Sequence, residues 1–500
     1  MLFNSYPFIY LFLPVTLLLF FVVGRFSRTG AVGCLVTCSL CFYASWNPDP
    51  SASWSPRFLL LILASIGSNF ALGRVFSRQF AAGRTSKPLL VLGLAFNLCL
   101  LGYFKYANFF VDNVNAMLGA TLDLDPVILP LAISFFTFQQ VAYLLDTYQG
   151  KTEEHGFAHY CLFVTFFPQL IAGPIVHHKE MLPQFQKSRT YCFSHENLAV
   201  GATIFLFGLC KKVFLADTFA EVANPAFDQT AAGGPSLVGA WAGTVAYTLQ
   251  LYFDFSGYSD MAIGLGRLFG IRLPLNFNSP YKACNIIDFW RRWHMTLSRF
   301  LRDYLYFPLG GGRRGKGRRY VNLMITMLLG GLWHGAGWTF VAWGALHGFY
   351  LLVNHAWRSM RDRVGAVPVA SWWRRELSRA ATLFAVMMAW VFFRADDFGA
   401  AASMFQSLFG MTGIGSREEL IASFPWLLVG LVLALWAPNT QQILQGHSPA
   451  LETRPGEVAP NPWPWLVWQP SALWALGMLC GFVIGMVYIS DLNEFLYFQF

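Results

Sequence analysis

The chain has 500 residues, of which 55% are hydrophobic, 17% are aromatic and only 12% are charged, and its mean hydropathy is +0.46. Soluble domains carry roughly 25% charged residues, so this composition excludes a soluble globular protein and predicts a polytopic membrane protein. The net charge of +9 is concentrated in short loops between apolar runs. That distribution follows the positive-inside rule and argues against nucleic-acid binding.

Apolar runs occur along the whole chain, and several are shorter than the ~20 residues that a straight membrane span needs. We therefore predict an all-α protein with about eleven spanning helices, some of them tilted, broken or re-entrant. No segment has the composition of a separate soluble domain, so residues 1–500 are expected to form a single membrane domain. The runs lie near residues 7–24, 30–46, 58–76, 88–110, 127–148, 157–176, 198–220, 236–262, 320–334, 337–356, 380–395, 424–437 and 471–490.

The loop charges predict an orientation in the membrane. Basic residues follow the first and third apolar runs, acidic residues follow the fourth, and residues 313–319 and 358–379 are strongly basic. Because basic loops stay on the cytoplasmic side, the amino terminus is predicted to lie outside, on the periplasmic or extracellular face. The residues that carry this argument are Arg25, Arg28, Arg74, Arg78, Arg84, Lys87, Asp112, Asp123 and Asp125.

Residues 320–356 lie between two basic loops and should cross the membrane an even number of times. Their length fits a helical hairpin with its turn near residues 335–337, which would put His334 toward the far end of a short helix. The alternative is a single tilted span with one basic loop buried in protein.

The stretch 285–306 carries the first candidate histidine. At about 100° per residue, its aromatic and aliphatic side chains form one helical face and its charged side chains form the opposite face. This pattern predicts one amphipathic helix at the interface or in a polar cavity. His294 falls on the aromatic edge, either as a functional group or as a buried histidine that hydrogen-bonds to backbone. We expect its neighbours to bind substrate: Trp290, Arg291, Arg292 and Trp293.

The second candidate is His334, within Leu332-Trp333-His334-Gly335. An ionisable side chain in an apolar segment is costly to bury and indicates a function, although a histidine can also simply hydrogen-bond across a helix interface. A dry imidazole with a pKa near neutrality is suited to removing a proton from a hydroxyl. We expect Trp333 to contact substrate beside it.

A third polar group lies in the apolar run 236–262, where Asp254, Ser256 and Asp260 are candidate substrate-binding or orienting residues. Asp254 and Asp260 are six positions apart and do not form a carboxylate pair on a helix. The alternative is an ion pair that locks two helices together. The glycine- and arginine-rich segment 310–319 is a weak phosphate-binding signal and fits a topogenic basic loop better.

The nine cysteines are scattered among apolar residues, and their spacing predicts neither a disulfide framework nor a metal site. The chain also lacks a G-x-S-x-G nucleophile elbow and a Walker A motif. Any chemistry must therefore come from the polar groups inside the membrane segments.

These residues resemble the membrane-bound O-acyltransferase (MBOAT) family in its bacterial branch that modifies polysaccharides such as alginate. The resemblance covers nearly the whole chain, with a motif core at 129–349, and it extends to the terminal residues 495–500. The similar segments are Leu129–Gln140, Phe167–Ile175, Tyr252–Ala262, Asp288–His294 and Leu332–Gly335.

The resemblance implies an all-α bundle around a tunnel, with His334 at the position of the catalytic histidine and His294 at the second polar position. It implies O-acetyl transfer from a cytoplasmic donor, acetyl-CoA, to a hydroxyl acceptor reached from the periplasm, with no permanently bound cofactor. It also implies the inner membrane of a bacterium, a periplasmic partner of the SGNH type and a polysaccharide acceptor.

Two alternatives stay open at this stage. The acceptor could be peptidoglycan, a D-alanylated polymer or a lipid instead of an exopolysaccharide. A transporter that passes a polymer or an acyl group without chemistry would use the same polar lining but would tolerate the loss of one imidazole.

Overall fold

The computed structural model describes residues 1–45, 57–152, 156–364, 371–454, 456–489 and 495–496. Within these ranges the protein is helical and has no β-strand, with one isolated bridge between Pro274 and Leu451. The predicted all-α class is therefore confirmed. The terminal motif of the sequence resemblance is described only at Phe495 and Leu496, and the basic stretch 358–379 lies outside the described residues at 365–370.

The first half of the chain forms helices separated by short connections. A π-helical turn, Phe8–Phe12, leads directly into the first α-helix. The α-helices are α1 (Leu13–Phe26), α2 (Arg28–Ala44), α3 (Arg57–Ala81), α4 (Lys87–Leu118), α5 (Ile133–Tyr148), α6 (Phe157–Thr165), α7 (Phe167–Leu170), α8 (His178–Phe185), α9 (His195–Cys210), α10 (Asp217–Asp228) and α11 (Leu237–Leu268).

The second half contains shorter helices around a few long ones. π-Helical segments occur at Lys211–Ala216, which joins α9 to α10, and at Arg302–Tyr306. The α-helices are α12 (Ile286–Trp290), α13 (Met295–Leu301), α14 (Lys316–His334), α15 (Trp338–Val364), α16 (Trp372–Arg394), α17 (Phe398–Leu408), α18 (Arg417–Leu435), α19 (Thr440–Ile443) and α20 (Ala472–Tyr488).

Five helical segments of the described chain are long and apolar enough to cross a membrane: Phe8–Phe26, Arg57–Ala81, Lys87–Leu118, His195–Ala232 and Trp372–Arg394. Three shorter apolar segments add to these: Arg28–Ala44, Phe424–Leu435 and Ala472–Tyr488. Together they identify a multi-pass membrane protein. The number of about eleven spans stays a prediction.

The contacts divide the chain into two compact units. The first contains residues 1–206, 259–274 and 449–451, and the second contains residues 207–258, 275–448 and 452–500. The assignment of residues 1–500 to a single domain stays a prediction.

The first unit is held together by polar side chains buried among apolar helices. Asn69 of α3 and Asn97 of α4 exchange two amide hydrogen bonds, of 3.1 and 2.7 Å, and neither side chain is exposed. Gln140 of α5 donates to Ser65 and accepts from Tyr160. These pairs satisfy groups that would be costly to leave unpaired in an apolar interior.

The second unit is organised around the helical hairpin formed by α14 and α15. The chain turns at Gly335, whose backbone is extended, and resumes as a helix at Trp338. Gly331 lies directly against the Phe340 carbonyl, and Gly344 lies against the Met327 carbonyl, so neither position has room for a Cβ atom. The structure therefore forms the predicted hairpin of two helices, and the number of times that 320–356 crosses the membrane stays a prediction.

The prediction of one amphipathic helix over 285–306 is wrong. Asn285 caps α12, whose last residue is Trp290, and the chain then turns so that His294 adopts a left-handed conformation with φ +40° before α13 begins. The backbone of the turn pairs with the segment before it, because Asn278 N–H donates to Arg292 O and Met295 N–H donates to Asn276 O. A periodicity argument assumes a continuous helix, and it fails where long-range backbone bonds replace helical ones.

Candidate active site

His334 is the last residue of α14 and is only 5% exposed. Three aromatic rings surround its imidazole at centroid distances of 5.0 Å (Trp333), 5.1 Å (Trp343) and 5.2 Å (Phe393), all in edge-to-face geometry. The hairpin turn positions this side chain, because Gly335 ends the helix immediately after it. The result is a titratable group held in a dry, aromatic environment.

His294 is fully buried, and its orientation is set by Asn276. The imidazole Nδ1 lies 3.1 Å from Asn276 Oδ1, which also accepts hydrogen bonds from the Thr296 backbone N–H and hydroxyl. Because this oxygen accepts from Thr296, Nδ1 carries the proton in the bond to it. Nε2 is then the nitrogen of His294 that can take up a proton.

The electrostatic state of His294 follows from its burial. Removal from water lowers the pKa of this imidazole to about 3, because an apolar environment disfavours the charged form. The ring of Phe255 lies edge-on at 4.8 Å and adds to the apolar surroundings of the imidazole. His294 is therefore neutral at physiological pH.

The structure brings the two histidines together. Their ring centroids are 6.4 Å apart. Trp333 lies next to both, at 5.0 Å from His334 and 6.2 Å from His294. Residues forty positions apart in the sequence thus form one buried cluster, which we call the histidine pair.

A cavity of about 440 Å³ adjoins the turn that carries His294, because Met295 and Thr296, the two residues that follow this histidine, form part of its wall. The predicted residues Trp290 and Arg291 also line it. Its charged lining is mostly basic, and its apolar lining is largely aliphatic. The basic residues are Arg291, Arg299, Arg302, His355 and Arg454, and the one acidic residue is Glu457.

A second pocket, of about 500 Å³, shares His355 with this cavity. It is also basic, and it contains the end of the glycine-rich loop. Asn322, which is fully buried, holds that loop by donating to the carbonyls of Leu309 and Gly311. The charged lining residues are Lys316, Arg319, Arg358, Asp362 and Arg363.

Two of the predicted site residues have structural partners away from the histidines. Arg292 donates to the Asp288 carboxylate at 2.9 Å and to the Asn278 carbonyl. Trp293 is 2% exposed and packs among Phe277, Tyr281, Phe289 and Trp390. Both side chains fix the turn that carries His294.

Asp254 belongs to a buried ion-pair network. Lys212 Nζ lies 2.8 Å from Asp254 and 2.8 Å from Asp217, and the Leu496 backbone N–H donates to Asp254 at 3.1 Å. The Lys212 ammonium also lies over the ring of Phe495, 4.8 Å from its centroid. This arrangement matches the alternative reading of Asp254 as a group that locks distant segments together.

Ser256 and Asp260 follow Asp254 on α11 and are 2% and 6% exposed. Ser256 lies next to Phe255, the residue whose ring contacts His294. Asp260 belongs to the part of α11 that is assigned to the first unit. Their predicted roles in substrate binding stay predictions.

Sequence reasoning missed three residues that shape the site: Asn276, Trp343 and Phe393. Asn276 stands in Leu275-Asn276-Phe277-Asn278, where a polar side chain between apolar ones is a signal for a buried hydrogen bond. Trp343 and Phe393 lie in apolar helices where aromatic residues are common, so no local pattern distinguishes them. Among the described residues no cluster of three or more His, Cys, Asp or Glu side chains could hold a metal ion.

In this multi-pass membrane protein, the first helix of the hairpin ends in a buried histidine that lies close to a second buried histidine. Residues 130–394 match the family described as MBOAT, membrane-bound O-acyltransferase family. The chain belongs to this family and is an acyltransferase, which excludes the transporter alternative.

The chain is similar in sequence to several bacterial proteins. The chain is 43% identical to the peptidoglycan O-acetyltransferase of Helicobacter pylori, over 83% of this chain and 81% of that protein. It is 40% identical to the probable alginate O-acetylase AlgI of Pseudomonas aeruginosa, over 92% of this chain and 85% of that protein. A more distant match, 29% identical, is the teichoic acid D-alanyltransferase of Streptococcus thermophilus, over 53% of this chain and 68% of that protein.

Proposed function

We propose that the protein is an O-acetyltransferase that moves an acetyl group from acetyl-CoA in the cytoplasm to a hydroxyl on the periplasmic side of a bacterial inner membrane. The acceptor is an exported polysaccharide such as alginate. The observation that carries this proposal is the buried histidine pair, with 6.4 Å between ring centroids. A cavity with basic residues in its lining adjoins the turn that carries His294. Acetyl-CoA enters as a substrate, and the proposal requires no resident cofactor.

In the proposed reaction His334 is the general base. It takes the proton of the acceptor hydroxyl as that oxygen attacks the thioester carbonyl. The new C–O bond forms and the C–S bond breaks, and the departing thiolate receives the proton from His334. The three surrounding aromatic rings exclude water, which would otherwise hydrolyse the thioester.

His294 has a supporting role in this scheme. Its Nδ1–H is held by Asn276, so Nε2 is left as a hydrogen-bond acceptor. It orients the incoming substrate through a donor group other than the reacting hydroxyl, whose proton goes to His334. Arg291, on the cavity wall, supplies positive charge near the developing oxyanion. The competing mechanism is an acetyl-imidazole intermediate on His334.

The basic lining supports a polyanionic donor. Arginines and lysines around the two pockets attract the phosphates of acetyl-CoA, and the aliphatic part of the cavity suits the uncharged arm that carries the acetyl group. A cytoplasmic location of the loop 313–319 would place these pockets where acetyl-CoA is available.

The acceptor class rests on the relatives. The relatives named for alginate and for peptidoglycan are 40% and 43% identical to this chain. We propose alginate or a similar exopolysaccharide because the sequence segments resemble that branch. A periplasmic partner of the SGNH type would complete the transfer to the glycan. Peptidoglycan is the second candidate acceptor because of the Helicobacter relative.

Substitution of His334 tests the proposal. In purified protein supplied with acetyl-CoA and a hydroxyl acceptor, His334→Ala should lower turnover at least 100-fold, as expected for loss of a general base, while the protein still inserts and elutes as a folded species. His294→Ala should cost less. Full turnover of folded His334→Ala would contradict the assignment, and transfer to peptidoglycan fragments but not to alginate would change the acceptor.

A further inference from the structure

A third histidine, His347, is buried in the second unit and is not used by the mechanism above. Its side chain is fully buried, and within the described part of the chain neither ring nitrogen has a hydrogen-bond partner. Leaving a buried polar group without a hydrogen bond destabilises the folded protein. A buried imidazole with two unused nitrogens therefore points to a binding role.

His347 lies on α15 between residues that line the basic pockets and Trp343, which contacts His334. Trp343, His347, Leu351 and His355 are spaced by four residues, so each lies about 40° further round the helix than the one before and the four form a winding face of α15. His355 lines both pockets, Leu351 lines the larger one, and the Trp343 ring contacts His334 at 5.1 Å. At 1.5 Å per residue the face spans about 18 Å, so an extended molecule lying along it would reach from the charged mouth to His334.

Two indoles border His347 on this path. The rings of Trp290 and Trp343 lie 5.2 and 4.8 Å from its ring, and 5.9 Å from each other. Within the described residues, the indole N–H of each has no hydrogen-bond acceptor. Trp290 also lines the larger cavity. Two indole N–H donors and an imidazole that can both donate and accept thus lie close together. Along α15 they are between His355, at the charged opening of the pockets, and the residue that contacts His334.

We propose that His347 is a donor-binding residue whose imidazole, together with the indole N–H groups of Trp290 and Trp343, hydrogen-bonds an amide in the arm of the acyl donor. This inference rests on the proposed function. An amide fits because it offers a carbonyl to N–H donors and an N–H to an imidazole acceptor. A charged group does not fit, because aromatic rings enclose the site and would not compensate its desolvation.

The order of the lining then matches the order of groups in acetyl-CoA. Basic side chains at the mouth meet the phosphates, Leu351 meets alkyl carbons, His347 and the indoles meet an amide, and Trp343 leads to the thioester at His334. Discrimination for donors with an amide-containing arm would therefore reside at His347, since a site that hydrogen-bonds a buried polar group rejects analogues that lack it.

The test measures donor kinetics in the purified protein. His347→Phe keeps an aromatic ring but removes both nitrogens, and it should raise KM for acetyl-CoA about fivefold to tenfold, the value of one hydrogen bond, with kcat changed much less. His347→Gln restores a donor and an acceptor and should recover part of the affinity. His347→Leu serves as a second variant if His347→Phe does not fold.

An amide-free acetyl thioester, S-acetyl ethanethiol, distinguishes binding from structural damage. Wild type and His347→Phe should use this donor equally well. Equal KM for acetyl-CoA in folded wild type and variant, or the same loss with the amide-free donor, would overturn the inference. A wild-type protein that transfers nothing from acetyl-CoA would instead overturn the proposed function.

Discussion

The amide oxygen of Asn276 helps to orient His294. Asn276 Oδ1 accepts from the imidazole and twice from Thr296, at 3.1, 2.9 and 3.3 Å, so one side chain fixes both the tautomer of the histidine and the start of α13. The position of a catalytic side chain depends on the groups that hydrogen-bond to it. Asn276 is therefore a positioning residue in the proposed site.

Replacing Asn276 should lower activity through His294. Asn276→Ala removes the acceptor, and we expect kcat to fall about tenfold to 100-fold, equivalent to losing about 1.4–2.8 kcal/mol of transition-state stabilisation. Asn276→Asp is the matched control, because a carboxylate oxygen still accepts all three bonds and should retain more activity. The check is acetyl transfer at saturating acetyl-CoA, and equal turnover of the two variants would contradict this role.

At the scale of elements, the hairpin of α14 and α15 determines where His334 lies. The two helices approach so closely that a backbone carbonyl of each faces a glycine of the other, at Gly331 and at Gly344. Small residues permit such an approach in membrane proteins. His334 lies one turn of helix beyond Gly331, so the close packing at this glycine determines the position of the imidazole.

A methyl group at Gly331 should separate the helices. Gly331→Ala puts a Cβ against the Phe340 carbonyl, and overpacking of this kind destabilises by about 1–3 kcal/mol. We expect a lower melting temperature in detergent together with reduced acetyl transfer. Gly317→Ala, in the first turn of the same helix with no heavy atom within 4 Å of its Cβ, should leave both unchanged or slightly raise stability. Similar behaviour of the two variants would refute the packing argument.

At the scale of the whole molecule, buried charge ties distant parts of the sequence together. Lys212, Asp217 and Asp254 form one ion-pair network, and the Leu496 backbone joins it across 242 positions of sequence. Removing one partner of a buried ion pair leaves the other charge buried without compensation, and this strongly destabilises the folded protein. Asp254 thus contributes to holding residues 495–496 in place, and its position in an apolar helix does not by itself indicate catalysis.

The orientation in the membrane also belongs to this scale, and it can be tested by labelling. In a background without native cysteines, Arg314→Cys, in the exposed basic loop, should react with a membrane-impermeant thiol reagent only from the cytoplasmic side. Asp123→Cys, also exposed, should react only from the periplasmic side and serves as the matched control. Intact cells and inverted vesicles provide the two accessible faces. A reversed pattern would overturn the orientation and the proposed direction of transfer.

Much of the architecture follows from local sequence properties. Apolar runs of the right length predicted the helical membrane protein, and the glycines at 335–337 between two apolar runs predicted a hairpin with His334 at its end. Such features need only neighbouring residues, because hydrophobic burial and helix termination act over a few turns. The two histidines stood out for the same reason, as titratable groups in apolar or aromatic surroundings.

Other features could be decided only by the tertiary structure. The helix break at His294 depends on backbone hydrogen bonds to residues 276–278. Asp254 is paired with Lys212 and with the Leu496 backbone. The proposed role of His347 depends on its contacts with Trp290 and Trp343. Each involves groups separated by many positions, which sequence periodicity cannot bring together. The sequence by itself determined the apolar helices and the hairpin. Long-range hydrogen bonds and ring contacts in the tertiary structure decided which polar side chains lie near the two histidines and which are paired elsewhere in the fold.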